Sequence, residues 1–231
     1  MSHDVSRQRT ALITGANRGI GREVTAHLHR CGLRVIATAR TEADAARTAE
    51  WLGPGASGET LDVTDPDGVE RARDRIGPVD VLVSNAGVLL DGGTDPLNVG
   101  LDLVERTLAV NLLGAWRVAQ AFVPGMVSRG WGRVVFVSSG IGTFSIGLFT
   151  GSPGYSVSKV ALNGLTTMLA AQTAGTGVLV NAVNPGQTRT RMMPTAPRSA
   201  AEAALDIAHA ATLPDDGPTG VLLRGAQPVP W

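Results

Sequence analysis

A chain of 231 residues can build one domain around a large core, whereas two complete domains would be cramped. Twenty basic residues balance twenty acidic ones with no long run of either sign, which excludes the electrostatic footprint of nucleic-acid or anionic-membrane binding. No apolar run approaches the roughly twenty residues of a membrane span, and nothing at the start resembles a signal peptide. A lone Cys31 cannot form an internal disulfide; it reads as a small buried thiol near a helix end in a reduced, cytoplasmic protein.

Residues 10–14 form a short apolar run that meets a glycine-rich turn at 15–21, and helical spacing follows over 22–31. A second strand is predicted at 33–38. Thr41 is placed to cap an alanine-rich helix to about residue 52, with a loop at 54–58. A third strand is expected near 59–61, a helix from about Asp65 and Pro66, and a fourth strand at 78–84. A long helix over 102–126 leads to a fifth strand at 133–138. The next helix covers 153–173, with Ser152 as its cap and Pro153 as its first residue. A sixth strand at 177–183, a helix at 199–213 and a seventh strand at 219–223 complete the alternation.

The strands are apolar on both faces, as parallel strands covered by helices should be. Right-handed crossovers then predict a single doubly wound, Rossmann-type α/β domain over 1–231. Its sheet is mainly parallel and seven-stranded, with the ligand crevice at the strand ends. The glycine-rich stretch 140–154 has no periodicity and reads as a mobile loop bordering a site or as mere connection.

Gly15, Gly19 and Gly21 follow the first strand and open the first helix, where free N–H groups and the helix dipole favour a pyrophosphate. The spacing is neither a P-loop nor the G-x-G-x-x-G fingerprint. The second strand ends in Thr38, Ala39 and Arg40, without the carboxylate that would select NAD; Arg18 and Arg40 suit the 2′-phosphate of NADP(H). Asp62 suits either an adenine contact or a helix cap, and Asn85, Ala86 and Gly87 suit either a nucleotide-adjacent strand end or a simple turn. The only tyrosine, Tyr155, and the only lysine, Lys159, are one helical turn apart, so a cation can favour the phenolate of a general acid/base. Of His3, His27, His29 and His209, one pair is close, and it lacks Cys or acidic partners. No metal is expected.

Together these motifs resemble the classical short-chain dehydrogenase/reductase family, in a carbonyl reductase-like form, from residue 11 to residue 220. The resemblance implies a cofactor turn at Gly15, Asn17, Arg18, Gly19, Ile20 and Gly21, with Arg40, Asp62 and Val63 toward the adenosine. It places Asn85, Ala86 and Gly87 along the nucleotide, and Pro185, Gly186, Thr188 and Thr190 beside the nicotinamide. It also implies a tetrad. Tyr155 transfers the proton and Ser139, chosen over Ser138 by the pattern, binds the substrate oxygen. Lys159 contacts the ribose and tunes Tyr155, and Asn111 holds a water that extends the proton relay. Tyr155 and Lys159 thus serve both the cofactor and the chemistry.

Two departures bear on substrate. The interval between Ser139 and Tyr155 is long and carries Ile141, Phe144, Ile146, Leu148 and Phe149, while the segment 187–199 is too short for a deep lid. An open apolar pocket is expected, with Leu89, Gln187, Met192 and Met193 as candidate walls, although methionines also fill core gaps. The expected activity is NADPH-dependent reduction of an apolar aldehyde or ketone, reversible toward the alcohol. The competing readings are an NAD-linked alcohol dehydrogenase and a non-catalytic NADP-binding sensor. Homodimer and homotetramer are both open.

Overall fold

The computed structural model describes residues 8–231; His3 and the other N-terminal residues lie outside the described residues. The chain begins with β1 (Thr10–Ile13), α1 (Gly19–Arg30), β2 (Arg34–Ala39), α2 (Glu42–Leu52), β3 (Ala56–Thr60), α3 (Pro66–Ile76) and β4 (Val81–Ser84). It continues through α4 (Leu101–Leu108), a π-helical turn (Ala109–Gly114), α5 (Ala115–Arg129) and β5 (Gly132–Val137). The last elements are α6 (Pro153–Gln172), β6 (Val178–Val183), α7 (Ala200–Ala211), β7 (Leu222–Arg224) and β8 (Gln227–Val229).

The strand order β3-β2-β1-β4-β5-β6-β7-β8 is parallel through β7 and antiparallel at the last pair. Alternate strand residues explain the two helical layers. Leu12, Leu82, Val134 and Phe136 pack toward α3, α5 and α6, whereas Ala11, Ile13, Val83 and Val135 pack toward α1 and α7. Among the described residues, no helix is long and apolar enough to cross a membrane.

Four expectations change. Among the described residues the sheet has eight strands rather than seven, because β8 adds to the edge, where Pro228, a residue without an N–H, is tolerated. The loop predicted at 54–58 is half strand. Gly58 pairs with Ala37 and lies so close to α2 that a Cβ would stand 2.4 Å from the Ala45 carbonyl oxygen, so this glycine marks a close approach rather than a turn. The long helix runs from Leu101 to Arg129 but is interrupted by the π turn. Cys31 is exposed, not buried, because α1 stops at Arg30 and the spacing from Leu28 no longer carries it onto the core face.

Candidate active site

The order of the sheet reverses between β1 and β4, and the loops leaving these strands meet there. Gly15 and Gly19 have positive φ, at 63° and 52°. A Cβ on Gly21 would stand 2.4 Å from both the Asn85 amide nitrogen and the Gly15 carbonyl oxygen. The Asn85 side chain donates to the Thr14 and Gly15 carbonyls at 2.9 and 3.2 Å, and the Thr14 hydroxyl accepts from the N–H groups of Asn85 and Ala86. Asn85 therefore braces the two strand ends. Asn17, Arg18 and Ile20 complete the turn, and a Cβ on Gly19 would lie 3.5 Å from a Thr190 side-chain carbon, which brings the segment after β6 over it. This bare-backbone cradle at the start of α1 fits a dinucleotide pyrophosphate.

Arg18 and Arg40 are exposed beside that cradle. Partial burial acts to raise the Asp62 pKa, but hydrogen bonds from the N–H and hydroxyl of Thr64 and the charge of Arg40 outweigh it, leaving Asp62 below the usual carboxylate range. Asp62 thus caps its own turn while facing Arg40. The Val63 carbonyl accepts from Arg117 at 2.5 Å. After β6, the Asn184 side chain accepts from the Gly186 N–H, and the Thr188 hydroxyl donates to the Pro185 and Gly186 carbonyls, which folds this segment back on itself.

The expected tetrad comes from three elements. Asn111 lies in the π turn and its amide spans Val88: Oδ1 accepts from the Val88 N–H at 2.8 Å, and Nδ2 donates to the Val88 carbonyl at 2.9 Å and to the Ser158 hydroxyl at 3.0 Å. The π turn widens the helix where a side chain must reach this far. Ser138 is turned inward and donates to Asn163 at 2.5 Å, whereas Ser139 hydrogen-bonds to Tyr155. Lys159 is buried, donates to the Val137 carbonyl at 2.8 Å, and lies 5.4 Å from the Tyr155 ring centroid. Gly87 faces both Asn111 and Lys159; a Cβ there would stand 3.4 Å from Asn111 Oδ1 and 3.9 Å from Lys159 Nζ.

The electrostatics differ from the expectation that Lys159 lowers the Tyr155 pKa. Burial pushes the phenol up to about 12, against a hydrogen bond from Ser139 that favours the phenolate. Burial likewise brings Lys159 down to about 8, so the cation that was to stabilise a phenolate loses part of its own charge near neutral pH.

Ser152 does not cap α6: it makes no side-chain cap bond, and its buried hydroxyl has no hydrogen-bond partner. Asp91 supplies that role from the loop after β4, accepting from the N–H groups of Gly154 at 2.6 Å and Tyr155 at 3.4 Å. Nothing local in the sequence marks Asp91, which is 63 positions away from Gly154. Ile141 and Leu89 are partly buried. Phe144, Ile146 and Phe149 are exposed at 70%, 75% and 54%, and Gln187, Met192 and Met193 are exposed as well. His29 packs a ring nitrogen 2.8 Å from the Pro54 carbonyl oxygen, and among the described residues no group of three or more His, Cys, Asp or Glu could hold a metal ion.

A family model described as short chain dehydrogenase matches residues 9–200. The 3-oxoacyl-[acyl-carrier-protein] reductase FabG of Escherichia coli (strain K12) is 35% identical over 192 residues, covering 80% of this chain and 75% of that protein. Oxidoreductase UcpA of the same strain is 35% identical over 190 residues, covering 80% and 71%. A solved short chain dehydrogenase/reductase family protein superposes with a TM-score of 0.86 at 28% identity, over 94% of each chain. The structure of ElxO with NADP bound does so with a TM-score of 0.86 at 25% identity, over 95% of this chain and 97% of that one. The family match and the agreement along the whole fold place this chain in the short-chain dehydrogenase/reductase family, among the dinucleotide-dependent oxidoreductases.

Proposed function

We propose that this protein reduces apolar aldehydes or ketones to alcohols with NADPH, using Tyr155 as the general acid. The observation that carries the reading is the Ser139–Tyr155 hydroxyl pair beside buried Lys159, next to the bare backbone of Gly87. The Gly15, Gly19 and Gly21 turn, with Asn17 and Ile20, would hold the pyrophosphate. Arg18 and Arg40 would hold the 2′-phosphate, and Asp62 and Val63 the adenine. Asn85, Ala86 and Gly87 would flank the nucleotide, with Tyr155 and Lys159 at the ribose and Pro185, Gly186, Thr188 and Thr190 at the nicotinamide. Relatives named as reductases, and a similar structure with NADP bound, support this assignment.

A bound nicotinamide supplies the hydride that reaches the carbonyl carbon. The chain's own residues manage the oxygen. Ser139 and Tyr155 donate hydrogen bonds that strengthen as negative charge develops there, and Tyr155 passes its proton to that oxygen. A phenol pushed up to about 12 is fully protonated at neutral pH, the state an acid requires, yet it remains far more acidic than an aliphatic alcohol. Lys159, at about 8, can exchange protons near neutral pH and would help restore the phenol. Asn111 holds Val88 and, through Ser158, the helix that carries this pair.

The test is fluorescence titration with NADPH and NADH, followed by turnover of aldehydes, ketones, quinones and a 3-oxoacyl thioester. Tyr155→Phe should lower kcat by about 10²–10⁴-fold while leaving the NADPH Kd within about twofold. Parental turnover in that variant would remove Tyr155 as the acid.

A further inference from the structure

The first turn of α6 is held from outside the helix. Asp91 is fully buried, and its Oδ2 accepts from the N–H groups of Gly154 and Tyr155 while Oδ1 has no hydrogen-bond partner. A buried carboxylate with one unmatched oxygen is costly, so it is poorly explained as a device for stability alone. The positive end of a helix and two free N–H groups offset that cost here. Position adds a second argument. The Asp91 backbone is itself fixed: its carbonyl accepts from the hydroxyl and N–H of Thr94, and the Gly93 N–H donates to the Gly151 carbonyl at 2.9 Å. The same loop begins at Asn85, Ala86 and Gly87 and is clamped at Val88 by Asn111. A Cβ on Gly154 would stand 3.1 Å from Asp91 Oδ2, so the helix end and the carboxylate are in tight contact.

From these contacts we infer that Asp91 is a positioning residue. It ties the loop that borders the nucleotide cradle to the backbone N–H of the tyrosine that delivers the proton, and so sets the height of Tyr155 relative to Ser139 and Gly87. Ser152 occupies the local cap position but does not act, which leaves this alignment to a residue from the loop after β4. The inference rests on Tyr155 being the acid.

Tyr155 is the only tyrosine, so protein labelled with [15N]tyrosine gives a single tyrosine amide signal that reports this contact directly. In Asp91→Ala, that signal should move upfield and its hydrogen exchange should accelerate at least about tenfold. The kcat should fall by about tenfold or more, with KM and the NADPH Kd within about twofold of the parent. Asp91→Asn keeps a neutral, weaker acceptor and should recover part of both effects. A lower thermal midpoint with unchanged kcat would reduce Asp91 to a structural residue, and an unmoved Tyr155 amide in Asp91→Ala would overturn the contact itself. If Asp91→Ala does not fold, Asp91→Asn decides: an unchanged amide signal and kcat would overturn the inference. Parental activity in Tyr155→Phe would sink the assigned acid, while the amide result in the Asp91 variants would stand or fall separately.

Discussion

At the residue scale, the proposed chemistry rests on two groups whose proton affinities are shifted chiefly by burial. Tyr155 and Lys159 were legible as a pair because four positions make one helical turn, but the direction of the phenol shift was not. It depends on how deeply the helix face is covered and on the Ser139 side chain that opposes the effect of burial. Lys159 is depressed from 10.5 to about 8, so the unfolded chain holds the extra proton between those values. Stability from this group is therefore fully present above about 10.5 and is lost as pH falls through about 8. Urea unfolding of the cofactor-free protein should show stability gained from Lys159 on raising pH through this window, on the order of 3 kcal/mol at most. Lys159→Met should remove that slope, and an unchanged slope would mean that Lys159 keeps its charge inside the protein.

At the element scale, the π turn is the feature that connects fold to site. The sequence predicts one long helix because apolar spacing continues through it, and a single extra residue in a turn leaves little trace in periodicity. The structure shows its purpose in Asn111, whose amide serves both backbone groups of Val88. Asn111→Ala should leave those groups without their side-chain partner and cost about 2–4 kcal/mol in urea unfolding. If the midpoint does not move, Val88 has found partners elsewhere. Strand β8 and the strand half of the predicted loop were missed for related reasons, since Pro228 and Gly58 speak against strands until an edge and a close helix contact are known.

At the scale of the whole molecule, the two ends of the sheet do different work. The end opposite the crevice is closed by Arg133, which is fully buried and donates to the carbonyls of Leu213, Gly132 and Gly177 and to Asp215 at 2.6 Å. Trp131 is sandwiched between the Arg9 and Arg133 guanidinium groups, 3.6 and 4.2 Å from its ring centroid. Arg133→Met should destabilise by about 3–5 kcal/mol because several acceptors lose their donor at once. Asp215→Asn should cost less than about 1 kcal/mol, since its side chain is 62% exposed. Similar losses in the two variants would contradict this asymmetry. At the crevice end, NADPH at about 100 times its Kd should raise the thermal midpoint by roughly 5–10 °C, with a smaller rise for NADH. Arg18→Ala and Arg40→Ala should bring the two shifts together. Equal shifts in the parent protein would remove the case for 2′-phosphate recognition.

The order of strands and helices, the glycine turn and the spacing of Tyr155 from Lys159 are determined by the sequence itself. Each depends on interactions within a few residues, where periodicity and backbone freedom act directly. Only the tertiary structure decides that Ser139 meets Tyr155 while Ser138 turns inward to Asn163, that burial governs both pKa values, and that Asp91 rather than Ser152 holds the helix end. These outcomes depend on which distant segments meet and how much water they exclude, quantities that no local pattern carries.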